Sequence, residues 1–124
     1  MMLTAEASGL IARGISEKLL QAASDPKEDA LVKRVMQDLA QGKIERSLFT
    51  DNANAYFNAQ ALQDYEASLS PLGALQGVKQ NSTSLRGGMT YRNYVAKYAK
   101  KALTLSIYEM PDGKIEQFIV RPAE

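Results

Sequence analysis

The stretch from Ser84 to Val120 restricts the fold of this chain more than any other. Three runs of nearly alternating apolar and polar residues are marked off by Gly87-Gly88 before the first and by Lys100-Lys101 and Pro111-Asp112-Gly113 between them. Alternation at period two predicts strands with one buried face. Gly87-Gly88 supplies the positive φ angles that a tight hairpin needs. Pro111-Asp112-Gly113, with proline at the second turn position and glycine at the end, predicts a type I turn followed by a bulge. Lys100-Lys101 has no turn chemistry of its own and is placed by the patterns on either side. A weaker apolar run from Ala74 to Leu85 predicts a further strand, at an edge, where Lys79 suits the exposed position. The expected product is an antiparallel β-meander of about four strands, with everything before Leu75 reading as helix packed on it: an α+β fold.

The helical half has its own punctuation. Leu3 to Ala23 reads as a helix with Leu10, Ile11, Ile15, Leu19 and Leu20 near one stripe, although Gly9 and Gly14 each cost about 1 kcal/mol against alanine. At Ser24-Asp25-Pro26-Lys27-Glu28 a new helix starts: Asp25 caps, Pro26 takes the first helical position, and Glu28 completes an Asp-x-x-Glu box. Leu31, Val32, Val35, Met36 and Leu39 form its inner side, and Gly42 stops it. Ile44, Leu48 and Phe49 anchor a connector. Thr50 or Asp51 caps a further helical turn through Tyr56-Phe57, and Asn58 caps a piece running to Leu69. Ser70-Pro71-Leu72-Gly73 ends the helical half. The division expected is an N-terminal helix over residues 1–24, a linker from a preceding domain, followed by an α+β domain over residues 25–124.

Tight turns would fix the registers. The last hairpin would set Glu109 opposite Ile115, Ile107 opposite Gln117 and Leu105 opposite Ile119. The middle hairpin would set Tyr98 opposite Leu103, Ala96 opposite Leu105, Tyr94 opposite Ile107 and Arg92 opposite Glu109. One face then collects Tyr94, Ala96, Tyr98, Leu103, Leu105, Ile107, Ile115 and Ile119 for the helices to cover, with Arg92, Glu109 and Gln117 at its far end. The other face carries Val95, Tyr108, Phe118 and Val120 among polar residues, which is too apolar to be left in water. A slip of one residue would exchange the two faces.

Composition narrows the chemistry. The chain has 124 residues, enough for one domain with a core. Fifteen basic and fourteen acidic residues leave a net charge of +1, which gives no electrostatic reason to expect nucleic acid. No cysteine is present, so disulfides and thiol chemistry are excluded. The absence of histidine removes Ser-His and Cys-His nucleophile activation and argues against a transition-metal site. No cofactor is implied. The start, Met1-Met2-Leu3-Thr4-Ala5-Glu6, reads as neither a signal peptide nor a membrane span.

Four segments carry a resemblance: Asp51-Asn52-Ala53-Asn54-Ala55-Tyr56-Phe57, Pro71-Leu72-Gly73, Leu85-Arg86-Gly87-Gly88-Met89-Thr90-Tyr91-Arg92, and Tyr108 through Phe118 with its Pro-Asp-Gly turn. Together with the order of helices before meander, they resemble the cystatin-like, nuclear-transport-factor-2-like (SnoaL-like) domains of bacteria. The similarity is to small tails behind larger proteins such as β-lactamase-type serine hydrolases, and it covers about Leu31 to Val120. It implies helices wrapped by a curved antiparallel sheet and is compatible with export as the tail of a larger bacterial protein. Enzymes of that superfamily place an Asp, His or Tyr in a cone-shaped pocket between sheet and helices. None of those catalytic motifs matches here, so the resemblance implies fold and not activity.

Ser24-Asp25-Pro26-Lys27 has the spacing of the Ser-x-x-Lys of serine β-lactamases and Tyr91-Arg92-Asn93 that of a Tyr-x-Asn. The chain is too short for that fold and has no Lys-Thr-Gly element, and helix capping accounts for Lys27. Asn81-Ser82-Thr83 is a glycosylation sequon only in a eukaryotic secretory setting. Arg92, Lys97, Lys100 and Lys101 interleaved with Tyr91, Tyr94 and Tyr98 read as a solvated turn beside core tyrosines and not as a single-strand binding platform. Arg86-Gly87-Gly88 reads as a turn and not as an anion nest. The first functional expectation is a non-catalytic accessory domain, a homodimer or a domain docked on a neighbour, associating through Val95, Tyr108, Phe118 and Val120. The alternative is a small-molecule pocket or weak acid–base enzyme in which Arg92 orients Glu109, with Gln117 and Tyr94 alongside. That alternative requires an open cavity lined by the pair. No catalytic residue, metal ligand or membrane contact is assigned.

Overall fold

The computed structural model describes residues 25–123. The helix expected over Leu3–Ala23 lies outside the described residues. Three helices, α1 (Pro26–Leu39), α2 (Asp51–Tyr56) and α3 (Ala59–Leu69), precede four strands, β1 (Gly77–Arg86), β2 (Met89–Lys97), β3 (Ala102–Glu109) and β4 (Ile115–Pro122). The strands form one antiparallel sheet in the order β1-β2-β3-β4, so the fold is α+β with a meander.

Each helix begins where its capping residues place it. Asp25 accepts from the Lys27 N–H at 2.9 Å, and Pro26 opens α1. Thr50 Oγ1 caps α2 by accepting from the Ala53 N–H, and the Asn58 carboxamide caps α3 by accepting from the Ala61 N–H. Such a cap stabilises a helix by about 1 kcal/mol by satisfying a donor that the helix leaves open. α1 ends in a Schellman turn: Gly42 N–H donates to Leu39 O and Lys43 N–H to Asp38 O. Gly42 sits at φ 71°, and a Cβ there would meet Glu66 Oε1 at 2.8 Å. The positive φ favours glycine at that position, and a side chain there would also push the end of Glu66 aside.

Val32, Val35, Met36 and Leu39 of α1, with Phe49, Ala53, Phe57 and Leu69, pack on Tyr94, Ala96, Tyr98, Leu103, Leu105, Ile107, Ile115 and Phe118 of the sheet. Seven of the eight residues expected on the covered face are there. The exception is Ile119, whose place Phe118 takes.

The hairpins explain that exchange. Gly87 and Gly88, both at positive φ, close β1 onto β2 with Arg86 opposite Met89. The middle hairpin has a four-residue loop, so Ala96 faces Leu103 and Tyr94 faces Leu105. This lies two residues from the expected register, and a shift of two leaves every side chain on its expected face. The last hairpin turns at Pro111-Asp112-Gly113 and sets Glu109 opposite Ile115, as the turn chemistry predicts. A bulge at Glu116 then moves the partner of Tyr108 to Gln117, of Ile107 to Phe118 and of Leu105 to Val120. Phe118 and Val120 therefore belong to the helix-covered face, while Gln117 and Ile119 belong to the outer one. The expected interface roles of Phe118 and Val120, and the place of Gln117 beside Arg92, are corrected by that one extra residue.

The bulge has a visible cause. Glu116 turns sideways, and its carboxylate accepts from Thr50 Oγ1 and Asn52 Nδ2, both at 2.8 Å. The Thr50 N–H donates to Ile115 O, and Phe49 bridges to Ile115 in parallel. The start of α2 is thus fastened to β4 at the point where β4 gains its extra residue.

Candidate functional site

Of the four residues expected at a polar site, the structure brings together Arg92, Glu109 and Tyr94. Arg92 projects inward from β2, opposite Ile107, and reaches diagonally to Glu109, with Nε 3.0 Å from Oε1. Its Nη1 donates to Gln80 Oε1 at 3.0 Å. Gln80 is buried inward from β1 opposite Tyr94, just before a bulge at Asn81. Gln117 lies exposed on the outer face.

Sequence reasoning missed Gln80 and a further partner, Glu28. Its carboxylate is directed from the first turn of α1 at the sheet, with Oε1 3.6 Å from Arg92 Nε. The spacing assigns Glu28 to a capping box, but it also lies four residues before Val32, on the buried stripe of α1. A carboxylate on that stripe requires a partner in the sheet, and that was the signal available. Burial pushes the Glu28 carboxyl up to about 7, and its hydrogen bond with Glu109 and the charge of Glu109 add to this against the pull of Arg92. Glu28 Oε1, Asp29 Oδ1 and the Tyr94 hydroxyl are buried with no hydrogen-bond partner among the described residues. Burial first, then the Asp29 and Glu28 carboxylates, raise the Tyr94 phenol above its ordinary range.

Chemically this cluster is one guanidinium serving two carboxylates beneath a helix. Three clefts lie elsewhere. The first, about 400 Å³, runs between α2, α3 and β4 and is walled by Ala53, Phe57, Tyr65 and Phe118, with Tyr56 exposed at its rim. The second, about 430 Å³, continues it along α3 past Leu69 and Leu103 and shares Ala61, Tyr65 and Val120 with it. The third, about 540 Å³, lies against β1 and β2 and includes Val95 and Lys97. None of the three is lined by Arg92, Glu109 or Tyr94. Among the described residues no group of three or more acidic side chains is placed to hold a metal ion.

The outer face of the sheet keeps two of the expected interface residues, Val95 and Tyr108, and gains Tyr91 and Ile119, all half-buried. Tyr91 and Tyr108 face each other across the strands with ring centroids 5.0 Å apart, and the Arg86 guanidinium lies 4.9 Å over Tyr91. Asn93 Nδ2 donates to the Tyr91 hydroxyl, and Asn81 donates to Asn93. These contacts hold the two tyrosine rings as a fixed ridge. Comparison with known protein families, with curated proteins and with solved structures finds no match.

Proposed function

We propose that this chain is a non-catalytic interaction domain that associates through the outer face of its sheet, pairing with a second copy of itself. The observation carrying this reading is the ordered ridge of Tyr91 and Tyr108, flanked by Val95 and Ile119, on a face that packs against none of the described helices. Tyrosine is favoured at interfaces because its ring buries a large area at small entropic cost while its hydroxyl stays usable. Four strands about 4.8 Å apart and about eight residues long give a flat face of roughly 500 Å². Side-chain relief brings that towards the roughly 800 Å² per partner of an ordinary interface. The fold resembles the cystatin-like, nuclear-transport-factor-2-like group in element order, which is in keeping with an accessory domain. Light scattering tests the reading: the wild-type chain is expected at twice the monomer mass near 100 µM, and Tyr108→Glu at the monomer mass. Wild type remaining a monomer at that concentration overturns it.

A second reading rests on the cleft between α3 and β4. About 400 Å³ walled by Phe57, Tyr65 and Phe118 lies within the usual range of small-molecule sites. A small apolar ligand, and not a substrate of Arg92 and Glu109, is what such walls would hold. Indole added at millimolar concentration is expected to shift the NMR signals of Tyr65 and Phe118, and unchanged signals would remove this reading.

A further inference from the structure

We propose that the first turn of α1 is latched to the sheet by a proton held between the Glu28 and Glu109 carboxyl groups, and that this turn opens when the proton is lost. The argument begins with an imbalance of charge. Among the described residues Arg92 is the one cation paired with either carboxylate, and the two hydrogen bonds it makes go elsewhere than Glu28: Nε to Glu109 at 3.0 Å and Nη1 to Gln80 at 3.0 Å. Glu28 Oε1 lies 3.6 Å from Nε, an ion-pair distance too long for a hydrogen bond, and is buried with no hydrogen-bond donor among the described residues. A proton on Glu28 supplies the missing donor, because the carboxyl can then donate to Glu109. Without it, two carboxylates face each other across a helix–sheet contact that one guanidinium cannot neutralise.

The remaining surroundings divide, with the negative charges favouring the proton. On α1 itself, Asp25 adds negative charge beside Glu28, Asp29 does so beside Tyr94, and Lys27 is exposed. From β2, Arg92 favours the ionised form and the buried Tyr94 hydroxyl carries no charge. From β3, Glu109 opposes it. From β1, Gln80 is neutral and engaged with Arg92. The positive end of the helix dipole favours ionised carboxylates in this turn, but Asp25 and Asp29 share it. The titration of Glu28 near 7 agrees with the geometry.

The deeper turns of α1 are held independently by Val32, Val35, Met36 and Leu39, so the latch concerns the entry turn alone. Amide hydrogen exchange on the whole chain tests it, with rates corrected for intrinsic pH dependence. Protection of Ala30 to Lys33, relative to Val35 to Leu39, is expected to fall at least about tenfold between pH 5.5 and pH 8, since each pKa unit of difference is worth a factor of ten. In Glu28→Gln, whose amide can donate to Glu109 at either pH, the ratio is expected to stay within about twofold. A wild-type ratio that does not change with pH overturns the proposal, as does a pH dependence that Glu28→Gln leaves intact.

Discussion

Phe118 lies opposite Ile107 on the helix-covered face of the sheet, and Gln117, its neighbour, lies opposite Tyr108 on the outer one. Phe118 is only 5% exposed and packs in the main core. Phe118→Ala is therefore expected to cost about 3–5 kcal/mol, the range for removing a buried aromatic ring. Ile119→Ala, on the half-buried outer face, is expected to cost about 1 kcal/mol or less and to weaken association instead. Chemical denaturation of the two variants measures the difference, and equal losses would contradict the observed register.

Arg92 is the cation that holds two carboxylates beneath α1. Arg92→Met keeps much of the side-chain volume but leaves Glu28 and Glu109 facing each other. A loss on the order of 3 kcal/mol is expected near neutral pH, because removing one member of a largely buried ion pair strands the other. At pH 5 the loss should be smaller, since the two carboxyls can then share a proton. Urea unfolding at the two pH values gives the comparison.

Two glutamates tilt stability in opposite directions with pH. Glu28 titrates near 7 in the folded chain against 4.5 ordinarily, so between those values the folded state holds more protons than the unfolded one. Its contribution is fully present below about 4.5 and is lost as pH rises through about 7. Glu116 is held below its usual range by hydrogen bonds from Asn52 and Thr50, so its contribution is present above its unfolded value and lost as pH falls through the folded one. Glu28→Gln should flatten the decline towards neutral pH, and Glu116→Gln should flatten the acid limb. Thermal unfolding from pH 3 to pH 8 separates the two effects.

Thr50 performs two tasks, capping α2 and donating to the Glu116 carboxylate at the bulge. Thr50→Ala should cost about 1–2 kcal/mol, at the upper end for a lost cap because the bond to Glu116 goes with it. Thr50→Ser retains the hydroxyl and should recover most of that. Denaturation midpoints for the pair decide whether the hydroxyl is what matters.

The sequence displays those parts of the fold that depend on local chemistry. Asp25, Thr50 and Asn58 mark helix starts, Gly42 marks a stop, and Gly87-Gly88 and Pro111-Asp112-Gly113 mark turns, each because one side chain or one φ value settles the matter locally. The weak Lys100-Lys101 turn misplaced its register by two residues, and period-two geometry made that error harmless to the faces. The bulge at Glu116 was not legible, because its cause is a pair of hydrogen bonds to Thr50 and Asn52, more than sixty positions away. That single residue carried Phe118 and Val120 inward and Gln117 outward. Arg92 and Glu109 met as expected because a diagonal neighbour is still within reach of an arginine. Glu28 was hidden by its capping-box spacing, a box the helix start does not form: Asp25 caps by accepting from the Lys27 N–H, while the Glu28 carboxylate turns to Arg92 from the stripe of Val32, Val35 and Leu39.

The most direct test of the outer-face account is solvent paramagnetic relaxation of the Val95 and Ile119 methyl groups, measured on the wild-type chain from about 10 µM to about 500 µM. Association through this face predicts that both methyls become shielded from the soluble probe as concentration rises, while the methyl groups of Leu85, on the exposed tip of the β1–β2 hairpin, remain fully relaxed. If Val95 and Ile119 stay as accessible at the highest concentration as at the lowest, the face is bare in solution and the account is contradicted.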